Sequence, residues 1–268
     1  MTATIKMNVG ISTASLFLKE NNENAVKLFS DWGIDCAEIF LTSFCEYDPI
    51  FAETLRQNMG DLRVHSVHVL STQLEPQLYA VHPRVKADAF SWLEKVMCSA
   101  RVLGADHYTF HGIARIKRTF RENLPFAAER TREIFEFCKN YGVRLCYENV
   151  EWSLYSRPEI FTALKKQCPQ LGGVLDIKQA RIAGYDYRQF LEEMGSNLTH
   201  VHVSDVTADG KMCLPGRGEF NFDELFSRLK EVGFTGAVLI ENYAGDFGDE
   251  NDLKEAYFYL KEKASRFF

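Results

Sequence analysis

No apolar run in this 268-residue chain approaches the ~18 residues of a membrane-crossing helix. The opening segment MTATIKMNVG has no apolar signal core. Cysteines number seven, an odd count with no C-x-x-C pair, which argues against a disulfide framework and a structural zinc site. Cys36, Cys98, Cys138 and Cys146 fall in apolar segments, so buried free thiols in a reducing cytoplasm are expected. Positive charge is not in excess: 31 Lys and Arg face 37 Asp and Glu, a net −6. That balance disfavours a nucleic-acid coat or a membrane-surface protein, while a local basic patch stays open. Neither G-x-G-x-x-G nor G-x-x-x-x-G-K-[ST] is present, so the nucleotide-binding sheet folds lack their signature. No Pro/Ser-rich linker or low-complexity stretch divides the chain, and residues 1–268 are read as one domain.

What is present has a beat. Short β-rich runs at 7–13, 36–41, 63–69, 106–111, 143–149, 171–177, 198–205 and 236–243 recur about every 33 residues, the size of one βαβ unit. Helical patterns fill the gaps. In 83–103, Val85, Ala89, Trp92, Leu93, Val96 and Ala100 recur at helix spacing, and 122–140 and 251–263 read likewise, the last with Asp249 and Asn251 as caps. Gly33, Gly104, Gly142 and Gly233 stand where helices should end before strands. Strict alternation implies a parallel sheet, and eight units imply a closed (β/α)8 TIM barrel, with an open doubly wound sheet as the alternative.

Such barrels place their chemistry at the C-terminal ends of strands. Here those ends carry His68, His111, Glu148, Asp176, His202 and Glu241 on strands three to eight. Alternation puts Cys146, Val174, His200 and Leu239 two residues below the last four, on the same face. Glu148, Asp176, His202 and Glu241 form an oxygen-rich set with one imidazole. Its three carboxylates call for a divalent cation, Mn2+ or Mg2+ by preference, Zn2+ or Co2+ also fitting. The competing account pairs the carboxylates with Lys178 or Arg217 and needs no metal. His68 and His111 are either substrate contacts or satisfied polar core residues, and His200 is read as structural.

The fragments YENV (147–150), LDIKQARIAG (175–184), HVHVSD (200–205), PGRGEFNF (215–222) and VLIENY (238–243) resemble the xylose isomerase-like barrel superfamily over essentially the whole chain. That superfamily holds sugar isomerases and epimerases, inosose dehydratases and abasic-site nucleases. The resemblance implies that Glu148, Asp176, His202 and Glu241 are the ligands of a single metal, and that Glu148 and Glu241 are also the proton-transfer residues. The departures are informative. Gln179 stands where many members have histidine, and the loop TADGKMCLPGRG lacks the Asp-x-His of the nucleases, so a three-zinc cluster is short of ligands. Ala208 replaces an arginine that some ketose epimerases carry, with Arg217 as a substitute nearby.

Other residues admit two readings each. Pro215-Gly216-Arg217-Gly218 is a loop closing on substrate or a plain turn. Lys178, with Gln179 beside it, binds an anionic group or donates a proton, or is a solvated loop lysine. Arg115, Lys117, Arg118 and Arg121 greet an anion or form a solvated face. Glu38, read as the end of strand two, bonds substrate hydroxyls or pairs with a loop arginine. Trp152 and Tyr155 stack on a sugar or cover the mouth.

The expectation is a cytoplasmic, metal-dependent isomerase or epimerase of a sugar or sugar derivative, working by proton transfer through a metal-stabilised enediolate. The alternatives are an inosose-type dehydratase, a metal-dependent phosphodiesterase or abasic-site nuclease, and a non-enzymatic sugar-binding barrel. The expected partner is a small carbohydrate, with no nucleic acid and no membrane. A homo-oligomer is left open.

Overall fold

The structure, a computed structural model, describes residues 7–115 and 123–268. Eight parallel strands close a barrel: β1 (Asn8–Ser12), β2 (Cys36–Leu41), β3 (Arg63–Val69), β4 (His107–Phe110), β5 (Arg144–Glu148), β6 (Gly172–Asp176), β7 (Leu198–Val203) and β8 (Ala237–Ile240). β8 pairs with β1 from Asn8↔Ala237 to Ile11↔Ile240, which seals the sheet and excludes the open doubly wound alternative. Ten helices are described: α1 (Asn22–Asp31), α2 (Pro49–Asn58), α3 (Ser71–Leu78), α4 (Pro83–Leu103), α5 (Leu124–Lys139), α6 (Pro158–Gln167), α7 (Ile177–Ile182), α8 (Tyr187–Met194), α9 (Phe222–Glu231) and α10 (Glu250–Ala264). Among the described residues no helix is long and apolar enough to cross a membrane.

The helix signals are local and physical. Helix α4 buries Ala89, Leu93, Val96 and Ala100 of the stripe its spacing predicts, leaves Trp92 half-buried and Val85 exposed, and stops where Gly104 turns left-handed at φ 75°. Asp249 caps α10 through the amides of Asn251 and Asp252; Asn251 lies inside the helix and is not a cap. Residue 122 of the expected 122–140 helix lies outside the described residues.

The main apolar core lies between the strands and the helices. Inside the barrel the apolar filling is small, a separate cluster of Cys36, Ala237 and Leu239. Gly10 makes room for it, since a Cβ there would sit 2.1 Å from the Cys36 carbonyl. Cys146 and Val174 are also buried on the inward face, and the remaining interior side chains are largely polar, where such barrels ordinarily pack branched aliphatics. Towards the strands' N-terminal ends His65 and His107 stack at 4.6 Å, and His200 meets His65 edge-on at 4.9 Å. Burial holds His65 well below the usual imidazole range and brings His200 down to about 4. All seven cysteines are free; Cys36, Cys138, Cys146, Cys168 and Cys213 are buried, Cys98 is half-buried and Cys45 exposed.

Candidate metal centre at the barrel mouth

Glu148 and Asp176 are the last residues of β5 and β6, His202 lies in β7, and Glu241 follows β8 directly. Each offers one ligand atom, and the four atoms lie within 4.8 Å of one another. One ion at first-shell distances of about 2.0–2.2 Å spreads its ligands over up to about 4.4 Å, so the set fits a single divalent cation. His202 Nδ1 is 3.1 Å from Glu148 Oε1 and 3.0 Å from Glu241 Oε2, while its Nε2 points the other way, 3.1 Å from Glu38 Oε1. Asp176 Oδ1 accepts the Gln179 amide at 2.8 Å, so the carboxylate that ends β6 also caps α7. Asn149, the residue after Glu148, binds the Asp176 backbone at both ends, 2.9 Å each way, and locks the end of β5 to the end of β6.

Charge is concentrated there. Burial opposes charge on His202, but Glu241, Glu38 and Glu148 outweigh it and hold the imidazolium well above its usual range. Burial pushes Glu148 up, and His202 and His111 more than reverse it, leaving the carboxylate well below its ordinary value. For Asp176, burial and the Glu148 and Glu241 charges win against Lys178, and the carboxyl rises to about 7. A divalent cation would replace the proton that such a cluster otherwise holds.

The other expected residues divide. His68 is buried beside the cluster, Nδ1 3.6 Å from Glu38 and 3.9 Å from Glu241, and neither ring nitrogen has a hydrogen-bond partner among the described residues. His111, one residue past β4, contacts Glu148 Oε2 through Nε2 at 2.7 Å. Burial lowers its affinity for a proton, yet Glu148 and Glu75 raise it to about 9. Trp152 meets the His111 ring edge-on at 5.3 Å. Lys178 is buried, Nζ 4.0 Å from Asp176 Oδ2 and 4.1 Å above the Tyr243 ring, so it is not a solvated loop lysine. Gln179 is turned to the Glu151 amide, 3.2 Å from its Oε1.

Three expectations are corrected, and a fourth falls mostly outside the described residues. Glu38 does not end β2: it is the strand's third residue, fully buried inside the barrel and bonded by hydroxyls rather than by an arginine. Arg217 turns outward to Glu255 at 2.7 Å and Asp252 at 3.6 Å on α10, away from the carboxylates. Tyr155 is a core residue against Tyr147, Phe161 and Phe190, and it neither stacks at the mouth nor covers it. Arg115 is tied to Glu151, while Lys117, Arg118 and Arg121 lie outside the described residues.

Sequence reasoning passed over two buried carboxylates. Glu75 on α3 accepts the amides of His111 and Gly112 at 2.9 and 3.0 Å and the Tyr108 hydroxyl at 3.1 Å, and so fixes the segment carrying His111. Asp205 accepts four amides, those of Val206, Gly216, Gly218 and Phe220, at 2.8–3.1 Å. The Pro215–Gly218 segment is therefore held as a turn. Only a signal already in the sequence could have exposed the polar interior: Ser66, Thr109 and His200 each stand two residues before a mouth histidine. Cavities of about 440, 680 and 850 Å3 are lined by residues such as Asn8, Arg63, Asp106 and Arg144, none of them in the cluster.

The comparisons agree with this architecture. The chain is 32% identical over 118 residues to an uncharacterized protein of Methanocaldococcus jannaschii, 41% of this chain and 40% of that protein. It is 23% identical over 177 residues to an inosose dehydratase of Bacillus licheniformis, 56% and 58% of the two chains. The matches thus span about half the length of these relatives. Two solved structures share the fold: a D-psicose 3-epimerase with D-tagatose from Clostridium cellulolyticum H10 (TM-score 0.78, 17% identity, 97% and 99% coverage) and an IolI protein with a bound zinc atom (0.74, 17%, 98% and 99%). The sequence profile of the xylose isomerase-like TIM barrel matches residues 26–263, and the chain belongs to that family.

Proposed function

We propose that the protein is a metal-dependent isomerase or epimerase of a sugar or sugar derivative, with Glu148 and Glu241 as its proton-transfer residues. The observation that carries this reading is the shared contact of the two glutamates with His202 Nδ1, from strands on either side of β7 in the barrel order. Glu148, Asp176, His202 and Glu241 would hold one divalent ion. When bound, that ion supplies Lewis acidity to a substrate carbonyl and its neighbouring hydroxyl. Either glutamate can then take the proton from the carbon beside the carbonyl, and the other can return one to the opposite face. General acid–base transfer of this kind supplies ~10²–10⁴-fold. His111, in contact with Glu148 Oε2, steadies that carboxylate's charge. Lys178 and the free ring nitrogens of His68 offer donors to substrate hydroxyls, and Trp152 offers a ring edge beside them. The zinc-bound IolI and the sugar epimerases of the same fold support a carbohydrate substrate, and the free thiols a cytoplasmic setting.

A second reading is favoured by the inosose dehydratase relative: the same proton abstraction followed by loss of a β-hydroxyl. The test for both is a screen of ketoses, ketose phosphates and inososes in D2O with Mn2+, read by NMR. Deuterium at the carbon beside the carbonyl is expected, with an epimer, isomer or dehydrated product telling the readings apart. Tight substrate binding without exchange in any compound would reduce the protein to a sugar-binding barrel.

A further inference from the structure

Glu38 is the fully buried carboxylate in the middle of the barrel, and it has no arginine or lysine beside it among the contacts described. Its charge is met by hydroxyls instead. Ser12 Oγ donates to Oε1 at 3.0 Å, and Ser66 Oγ and Thr109 Oγ1 donate to Oε2 at 2.7 and 2.5 Å. Thr109 is itself 2.9 Å from His200 Nε2. Strands β1, β3, β4 and β7 thus converge on one side chain of β2. Burying a carboxylate there is costly, and an aliphatic residue would close the layer more cheaply, so the position asks for an account beyond packing. What the carboxylate addresses above itself is His202: Oε1 lies 3.1 Å from Nε2, the buried ring nitrogen turned away from Glu148 and Glu241, an ion-pair approach to a nitrogen that has no aligned hydrogen bond among the described residues.

We infer that Glu38 is a positioning residue, which holds the His202 ring by Nε2 so that Nδ1 is presented to a divalent cation among Glu148, Asp176 and Glu241. A ring that ligates through one nitrogen carries its proton on the other, and a carboxylate fixed at that second nitrogen sets both the tautomer and the ring's orientation. The hydroxyl cradle keeps Glu38 charged and still, and Oε1, which accepts only the Ser12 hydroxyl, has a second lone pair for the imidazole. This inference rests on the proposed metal-ligand set.

The test measures Zn2+ affinity of the full chain by chelator competition, beside thermal midpoints without metal. Glu38→Gln is expected to loosen Zn2+ by 10–100-fold. Thr109→Val disturbs the same carboxylate from its far side without touching His202, and is expected to change affinity less than ~3-fold whatever it does to the midpoint, a gap set by the same loss range. A Glu38→Gln protein that binds Zn2+ as tightly as wild type, or that loses no more than Thr109→Val, overturns the proposal. Should Glu38→Gln fail to fold, the wild type decides: in the Zn2+-loaded protein, ¹⁵N-histidine NMR is expected to place the ion on Nδ1 of His202 and a slowly exchanging proton on Nε2. The ion on Nε2 would refute it. A wild type that binds no divalent ion at all brings down the ligand set itself, a failure distinct from an unchanged Glu38→Gln.

Discussion

Glu148 and Glu241 stand 3.1 and 3.0 Å from one nitrogen, and that shared contact sets what each substitution should do. Glu→Gln keeps the shape and one ligating oxygen but removes the base. In an epimerase both variants should lose at least ~10²-fold in turnover, the low end for acid–base catalysis, and one should still exchange the substrate's α-hydrogen from a single epimer. In an isomerase one variant should be nearly inactive and the other only impaired. Steady-state kinetics with exchange followed by NMR separates these outcomes, and near-normal turnover in both would leave the glutamates as ligands alone. Protons and metal compete for the same atoms. With Asp176 at about 7 and His202 held above its usual range, protonated forms dominate at lower pH. Metal affinity should therefore rise from pH 6 to 8 with at least one proton released per ion, read by calorimetry in buffers of different ionisation enthalpy. A flat profile would contradict the ligand set. At this scale much was legible: the four ligand types stand at or next to strand ends, where fold and period put them. Placing Glu38 at the end of β2 went against the run 36–41 itself, which has the strand's bounds and makes Glu38 its third residue; the register shift at Ala37/Glu38 is what one strand's composition does not show.

Elements, rather than single residues, decide whether the mouth keeps its shape. The loop after β7 contributes nothing to the four-residue cluster, yet Asp205 gathers four of its amides around one buried carboxylate. Asp205→Ala should leave those donors without a partner and cost on the order of 3 kcal/mol. Hydrogen exchange should show Gly216, Gly218 and Phe220 unprotected while the β7 amides hold; equal protection in variant and wild type would mean water or a neighbour takes over the carboxylate's place. The strands and long helices were readable because burial imposes periods of 2 and 3.6 on them. Short α3 and α7 were not, since six or eight residues carry too little period to be seen. Arg217 and Tyr155 show the same limit: a loop residue's direction is set by its neighbours in space, α10 and the β5–α6 packing, not by its place in the chain.

For the whole molecule, the polar barrel interior makes stability depend on pH. His65 is held neutral by burial, with a folded pKa below its unfolded value near 6.5. The unfolded chain then binds more protons as pH falls through 6.5, so the native state loses stability on acidification. His65→Phe keeps a ring against His107 and removes that proton site. Its stability relative to wild type should grow as pH drops from 7 to 5, measured as urea midpoints, and a pH-independent difference would exclude His65 from the acid response. The same interior has a use as a clock. Burial pushes the Cys36 and Cys146 thiols up to about 12, and one of the seven cysteines, Cys45, is open to solvent. Native protein should therefore consume about one equivalent of a thiol reagent promptly, the reagent requiring an accessible thiolate. The slower equivalents would time successive openings of the wall, with Cys36 and Cys146 expected among the last. Divalent metal should slow those late equivalents while leaving Cys45 untouched, so that alkylation kinetics read occupancy of the mouth without any substrate.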